Sequence, residues 1–417
     1  MKRKILVIDL KTFYASVECA LLGLDPFRTN LVVADKERGR GTICLAVTPA
    51  LKELGVKNRC RLFEIPDDIK YLIAKPKMQT YIEYSANIYA IYLKYLSKDD
   101  IYVYSIDECF LDVTNYLKLY KTDEVTLAKR IMKDIFETTH ITATCGIGTN
   151  LFLAKVALDI LSKHSPDNIG LLDEDSFNQT IIFHEPITDI WNIGRGTAKR
   201  LRKYGVKNLY GLQMLEDSIL KKEFGVKGEI LKDHAFGLEP TTIKEIKEYK
   251  PKSKSLSQGQ VLFEDYSYDD AFIVLKEMAD ILILDLIGSD LACKSISIYV
   301  GYSKNEVRPT GGALSFEEYI DNPKKIKQAF IDLYLKTTNR NGLIRRINLS
   351  INNLISKEFK TISLFNEDGD EKDYDILKTI IDIQNKFGKS SVLRGIDLEE
   401  KATTRMRNKL IGGHNAK

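Results

Sequence analysis

The sequence predicts an α+β chain of several domains. A mixed sheet backed by helices comes first, then a helical stretch, then a small domain of βαββαβ order. Three observations carry this reading. At 417 residues the chain is longer than one hydrophobic core usually organises. Up to about residue 165 the apolar pattern alternates between strand and helix periods in a βα…ββαβα order. After a Lys- and Glu-rich stretch at 241–254, strands resume in the order of a complete ferredoxin-like unit.

The elements follow in turn. Residues 4–10 form a short apolar run ending on a carboxylate, which predicts a buried strand, and 12–22 a short helix. Residues 31–34 and 42–47 read as strands around the turn Arg38-Gly39-Arg40-Gly41. Residues 49–54 read as a helix stopped by Gly55, and 78–96 as a long tyrosine-rich helix. Tyr81, Ile88, Ile91 and Tyr95 recur on one helical face, which favours core packing over base stacking. Strands are expected at 101–106 and 110–113, with Asp107-Glu108 at their junction. A helix at 125–138, a strand at 141–147 and a helix at 150–162 follow. Gly146 and Gly148 permit a close backbone approach there. From 166 the pattern is one of short helices with Gly turns. The 241–254 stretch lacks apolar periodicity and reads as an exposed linker. Beyond it come a strand at 255–263, a helix at 269–287, strands at 295–302 and 313–316, a helix at 323–336 and a strand at 344–354. Residues 356–417 read as a separate tail, with a helix-like run at 376–387.

Composition bounds the function loosely. A net charge of +4 says little about nucleic acid, because acidic segments can mask basic ones. Six cysteines without a CxxC pair suggest reduced thiols in a cytoplasmic setting. The opening MKRKILVIDL is too short for a signal peptide, holds Asp9 and lacks a cleavage site. No membrane span is expected, since the run at 281–287 lies among Asp280, Asp285 and Asp290.

Three carboxylates stand out. Asp9 ends the first strand, and Asp107 and Glu108 sit where two strands meet. Carboxylates at strand ends of a rigid sheet can hold hard divalent cations. Adjacent strand residues point to opposite faces, so Asp107 and Glu108 converge only if a tight turn breaks the alternation. Each alone reads equally as an ordinary turn residue or helix cap. Together, Asp9-Leu10-Lys11-Thr12-Phe13-Tyr14-Ala15-Ser16-Val17-Glu18 and Tyr104-Ser105-Ile106-Asp107-Glu108-Cys109-Phe110-Leu111-Asp112-Val113 resemble the first and third signature motifs of Y-family DNA polymerases. The resemblance runs from the N-terminus to about Leu354. Within that family it is similar to the UmuC and UvrX type, related to DNA polymerase IV.

The resemblance implies a fold and a set of roles. The fold is a right hand, with a ferredoxin-like palm at 1–30 and 76–165 and small fingers at 31–75. A helix–hairpin–helix thumb at 166–240, a linker at 241–254 and a ferredoxin-like little finger at 255–355 complete it. Asp9 and Asp107 become ligands of two Mg2+ ions, Glu108 a ligand or acid–base partner, and Leu10 lends its carbonyl. Tyr14 matches the steric gate under the sugar of the incoming dNTP, with Phe13 in the same pocket; the residue pattern alone allows Tyr14 to be a core aromatic. For the triphosphate, the family's aromatic and basic finger positions fall on Pro49 and Lys52, so the tyrosine is missing and a lysine replaces arginine. A lysine offers a point charge rather than a bidentate fork. A second basic position falls at Lys163. Ile-Trp-Asn-Ile-Gly-Arg-Gly-Thr-Ala-Lys-Arg-Leu at 190–201 resembles a helix–hairpin–helix motif. Its Gly194, Gly196 and Lys199 would grip a phosphate of primer–template DNA. Asn192 stands where the family usually has glycine and can adopt the left-handed turn. Thr361-Ile362-Ser363-Leu364-Phe365 resembles a sliding-clamp peptide, with Ile362, Leu364 and Phe365 as anchors.

The resemblance therefore implies a translesion polymerase of the SOS response to DNA damage, of low fidelity and served by a clamp, and it allows an accessory subunit. Two rivals remain at this stage. One is a non-catalytic factor that binds DNA and the clamp. The other is a nucleotidyl cyclase, which can also carry paired carboxylates on a ferredoxin-like sheet.

Overall fold

The computed structural model describes residues 2–251, 254–303, 307–359 and 369–417. It divides into two compact units, Met1–Tyr249 with Asn415–Lys417, and Lys250–His414. Among the described residues no helix is long and apolar enough to cross a membrane.

The first unit is built on a five-stranded sheet of order β5-β6-β1-β7-β8. Its strands are β1 (Ile5–Leu10), β5 (Ile101–Val103), β6 (Glu108–Asp112), β7 (Ala143–Gly148) and β8 (Ile169–Leu172). Between β1 and β5 lie α1 (Phe13–Leu21) and a lobe of β2 (Leu31–Val33), β3 (Ala46–Val47), α2 (Pro49–Glu53) and β4 (Leu72–Ala74), followed by α3 (Met78–Tyr95). The lobe has its own small sheet, β3-β2-β4. The short α4 (Tyr116–Leu119) and α5 (Glu124–Thr139) join β6 to β7. β1 is antiparallel to both β6 and β7, so its whole apolar run is covered from either side. Ile5, Leu6, Val7 and Ile8 are buried accordingly, as a continuous apolar central strand requires. The first four strands in chain order stand 4-1-3-2, the ferredoxin-like arrangement expected. β8 adds a fifth strand parallel to β7. It lies past the boundary drawn at residue 165, because its four residues are too short to show a period.

After β7 comes α6 (Leu151–Val156), which continues as a wider π turn over Ala157–Leu161. This segment sits almost on the sheet, and the reason is glycine. A Cβ at Gly146 would lie 2.1 Å from the Ala154 carbonyl oxygen, and one at Gly148 2.2 Å from the Ala154 nitrogen. Gly170, the β8 partner of Gly146, would meet the Ala157 oxygen at 2.4 Å. No other residue fits these three positions without moving backbone.

The unit ends in α7 (Glu174–Thr180), α8 (Arg195–Arg202), α9 (Leu209–Met214), α10 (Asp217–Phe224), α11 (Val226–Ala235) and α12 (Ile243–Glu248). The last departs, over residues 243–248, from the reading of 241–254 as an exposed linker. Thr242 accepts the Glu245 amide while Glu245 accepts the Thr242 amide, a complete capping box. Ile243 is 3 % exposed and joins a core with Ile5, Val7, Phe110 and Leu151, against which Ile246 also packs. Arg3 fixes the approach by donating to the carbonyls of Glu239, Pro240 and Thr241. A helix of six residues shows its apolar pair once, too briefly for a period.

The second unit contains β9 (Ser255–Tyr266), α13 (Tyr268–Gly288), β10 (Leu291–Tyr302), β11 (Thr310–Ile320), α14 (Pro323–Thr337) and β12 (Ile344–Asn352). The expected βαββαβ order is present. The antiparallel sheet runs β11-β10-β12-β9. Its second and fourth strands are therefore central, whereas the first unit centres its first and third. The ferredoxin-like label thus fits its element order and not its strand order.

Residues 369–417, expected as part of a separate tail, pack instead on the second unit. α15 (Gly369–Phe387) lays Leu377, Ile380 and Ile381 against the core that α13 organises. At the start of α16 (Thr404–Arg407), the amides of Thr403 and Thr404 donate to the Glu277 carboxylate at 2.8 and 2.9 Å. α13 is buried on more than one face, and a helix apolar nearly all round needs covering on each. The clamp-like segment, with Ile362, Leu364 and Phe365, lies outside the described residues.

Ile243→Ala should destabilise the first unit by about 2–4 kcal/mol, the usual cost of emptying a buried isoleucine site. Urea unfolding of the chain measures it; an unchanged midpoint would return residues 243–248 to a free tether.

Candidate active site

The β1–β6 register sets Asp9 opposite Glu108. Asp107 lies just before β6, in the turn that follows β5. The turn is closed by the Tyr104 and Ser105 amides, both donating to the Glu108 carbonyl at 3.0 and 3.1 Å. Ser105 Oγ donates to Asp107 Oδ1 at 2.6 Å, and Ser85 Oγ to the Ile106 carbonyl at 2.6 Å. Asp107 is thus in a turn and Glu108 in a strand, which breaks the alternation that would send them to opposite faces. The Leu10 amide donates to the Asp107 carbonyl at 2.9 Å and ties the turn to the end of β1.

The three carboxylates act on one another. Burial pushes the Asp9 pKa from its ordinary 3.8 to about 7, with the charges of Asp107 and Glu108 adding to the rise and Lys155 and Lys163 opposing it. Burial likewise raises Glu108, against the pull of Lys155. Lys155, on α6, is 7 % exposed; its Nζ donates to Glu108 Oε2 at 2.9 Å and to Asp159 Oδ1 at 3.1 Å. The sequence reading missed this lysine. Its signal was a lone cation in the apolar run Leu151-Phe152-Leu153-Ala154-Lys155-Val156-Ala157-Leu158, with Asp159 four residues on.

The expected nucleotide pocket lies beside the carboxylates. Phe13 is buried, and the half-buried Tyr14 packs its ring on Tyr81 at 4.7 Å between centroids. Burial raises the Tyr14 phenol, Asp107 adds to the rise, and Arg59 opposes it, so Tyr14 faces the charged site while leaning on the core. Lys52 and Lys163 come into one field with Asp9, and Lys11 with them. Lys163 stands 3.9 Å from Asp159.

The helix–hairpin–helix segment consists of a 3-10 turn at Ile187–Asp189, a bend, and α8. Asn192 adopts φ +69°, the left-handed conformation expected of it. Gly194 caps α8, and open space surrounds the Cα atoms of both Gly194 and Gly196, so the helix end is accessible. Lys199 is exposed on α8.

Carboxylates at this depth suit hard divalent cations, and the oxygen-only donor set fits Mg2+. Among the described residues no three His, Cys, Asp or Glu side chains form a ready-made metal cage. The trio is a charge cluster, with one member engaged by Lys155.

Comparison with known proteins agrees with this architecture. Residues 8–159 match the model of the impB/mucB/samB family, and residues 253–364 that of its C-terminal domain, together more than half of the chain. A UV-damage repair protein, UvrX, of Bacillus subtilis is 29% identical over 100% of this chain and 98% of its own. A DNA polymerase IV 2 of Bacillus subtilis is 28% identical over 99% of both. A DNA polymerase IV of Clostridioides difficile is 26% identical over 87% of this chain and 97% of its own. A solved structure described as a Y-family DNA polymerase chimera superposes with a TM-score of 0.65 at 23% identity. It covers 85% of this chain and 99% of that one.

With Asp9 raised to about 7, a divalent cation that binds through Asp9 would have to displace a proton there at lower pH. Apparent Mg2+ affinity should fall about tenfold per pH unit below 7 and level off above it. By linkage, the metal-free fold should lose stability as pH rises from about 4 toward 7, because the folded chain keeps a proton that the unfolded chain releases. Metal titrations at pH 6, 7 and 8 check the first effect; equal affinities would put Asp9 back in the ordinary carboxylate range.

Proposed function

The chain belongs to the impB/mucB/samB family, the Y-family DNA polymerases, and we propose that it copies damaged templates at low fidelity by cation-assisted nucleotidyl transfer. It is a DNA-directed DNA polymerase of the translesion class. The observation that supports the mechanism best is the gathering of Asp9, Asp107 and Glu108 at the β1–β6 register, where burial and mutual repulsion raise the Asp9 pKa. Charge crowded in this way is stabilised by cations.

In this reading the five-stranded sheet is the palm, the β3-β2-β4 lobe the fingers, the helices after β8 the thumb and the second unit the little finger. Asp9, Asp107, Glu108 and the Leu10 carbonyl would hold two Mg2+ ions, whose charge would acidify the primer 3′-hydroxyl and neutralise charge on the transferred phosphoryl group. Lys155 keeps Glu108 in place at the sheet. Tyr14 borders the sugar of the incoming dNTP, with Phe13 beneath it, and Lys52 and Lys163 offer point charges to its triphosphate. Gly194, Gly196 and Lys199 offer amides and charge to a phosphate of the primer–template duplex. Recruitment by a sliding clamp, through Ile362, Leu364 and Phe365, and help from an accessory subunit rest on the sequence resemblance alone.

Primer extension tests this reading. Asp107→Ala should reduce extension by about 10²–10³-fold, the loss seen when transition-state charge stabilisation is removed. Primer–template binding should stay nearly intact, since phosphate contacts hold the duplex. In the same assay Tyr14→Ala should admit ribonucleotides far more readily. Normal extension by the first variant removes the carboxylate mechanism, and unchanged sugar discrimination by the second leaves Tyr14 a core residue.

The clamp reading predicts that Leu364→Ala with Phe365→Ala leaves extension of short primers unchanged and abolishes stimulation by a loaded clamp. Equal clamp retention by wild type and double variant in a pull-down rejects it.

A further inference from the structure

Lys11 has no role in the reading above, yet its side chain is placed with care. The Lys11 amide donates to the Thr142 carbonyl at 2.9 Å, and Ser16 Oγ donates to the Lys11 carbonyl at 2.6 Å. The next residue, Thr12, has φ +47° and ψ +44°, a left-handed conformation that a β-branched residue rarely adopts. The chain therefore turns sharply between Asp9 and Tyr14, and Lys11 is held at the bend. Lys11 Nζ donates to Asn168 Oδ1 at 2.5 Å. Asn168 itself stands at φ +60°, five residues after Lys163 and just before β8. The hydrogen bond ties the cation of the first motif to the loop that carries Lys163.

Lys11 and Lys163 both act on Lys52. Partial burial lowers the Lys52 pKa, Asp9 raises it, and the charges of Lys163 and Lys11 push it down again. Lys11 pairs with no carboxylate within salt-bridge distance, and neither does Lys52, among the described residues. The Asn168 amide oxygen holds the Lys11 ammonium without neutralising it, and leaves two of its three N–H donors for other acceptors. Lys11 and Lys52 both lie in the field of Asp9, and the Asn168 hydrogen bond ties Lys11 to the loop that carries Lys163, so the three lysines can offer positive charge to a polyanion there.

We propose that Lys11, oriented by Asn168, is a third cation of the triphosphate subsite and supplies charge that the Lys52 point contact leaves short. The inference rests on the polymerase reading and extends it to a residue outside the expected set. The side chain contacts phosphate in the bound nucleotide and in the transition state alike, so it contributes to nucleotide affinity more than to turnover. Asn168 is a positioning residue, acting only through Lys11.

The test uses the full chain on a dideoxy-terminated primer–template with the next correct dNTP, where binding is read without chemistry, together with steady-state extension on an ordinary primer. Lys11→Gln should weaken dNTP binding and raise KM about fivefold to tenfold, with kcat changed less than about twofold. Lys11→Arg should largely restore both. Asn168→Asp keeps the lysine but gives it a carboxylate partner, and should raise KM as much as Lys11→Gln. Asn168→Ala should give a smaller rise. Primer–template affinity should stay within about twofold in every variant, since no duplex phosphate is lost. Unchanged dNTP affinity in both Lys11→Gln and Asn168→Asp overturns the proposal, as does a loss of primer–template affinity that matches the rise in KM. A wild-type chain that extends no primer overturns the polymerase reading itself, a result distinguishable from either.

Discussion

Negative charge concentrated at the strand ends of a buried sheet is the constraint on which this molecule depends. Asp9, Asp107 and Glu108 oppose one another and oppose their own burial. Such a cluster persists only where the backbone leaves it no escape. β1 is pinned on both sides by antiparallel partners, the Ser105–Asp107 turn is closed by hydrogen bonds onto Glu108 and Ile106, and α6 brings Lys155 in from one side. The rest of the first unit reads as support for those three placements. Even α12 contributes, since Ile243 closes the apolar floor under Ile5 and Val7.

The parts legible in the sequence were those whose chemistry is local. A strand that ends on a carboxylate, an Asp-Glu pair between two apolar runs, and glycines spaced for a close approach each state their purpose within a few residues. Asn192 is a further instance, since the residue type alone pointed to its left-handed backbone. What stayed illegible depended on contacts distant in sequence. Lys155 and Lys11 look like any solvated lysine until Glu108 and Asn168 are brought to them, 47 and 157 residues away. β8 is recognisable only beside β7. The capping box of α12 was written in Thr242 and Glu245, but the charged residues around it hid the apolar pair that docks.

The second unit shows the same principle in its C-terminal residues. α13 buries Glu277 and Asp280 as well as its apolar faces. A buried carboxylate needs donors, and Glu277 finds them in the amides and hydroxyl of a segment more than a hundred residues later. Arg394 and Lys327 meet Asp280 in a similar way. From the sequence, residues 369–417 carry an amphipathic helix with no visible partner. From the fold, they complete a helix that would otherwise leave polar groups unsatisfied.

The glycine seat beneath α6 has a consequence for how the site responds to charge. At Gly146, Gly148 and Gly170 the helix rests on backbone, with no side chain between to rotate or compress. A helix seated this way has no soft layer on which to slide as ions arrive and leave at its edge. Lys155 and Asp159 are therefore held at a fixed depth beside the sheet, and a change of charge at the carboxylates would be met by side-chain torsions rather than by a shift of the helix.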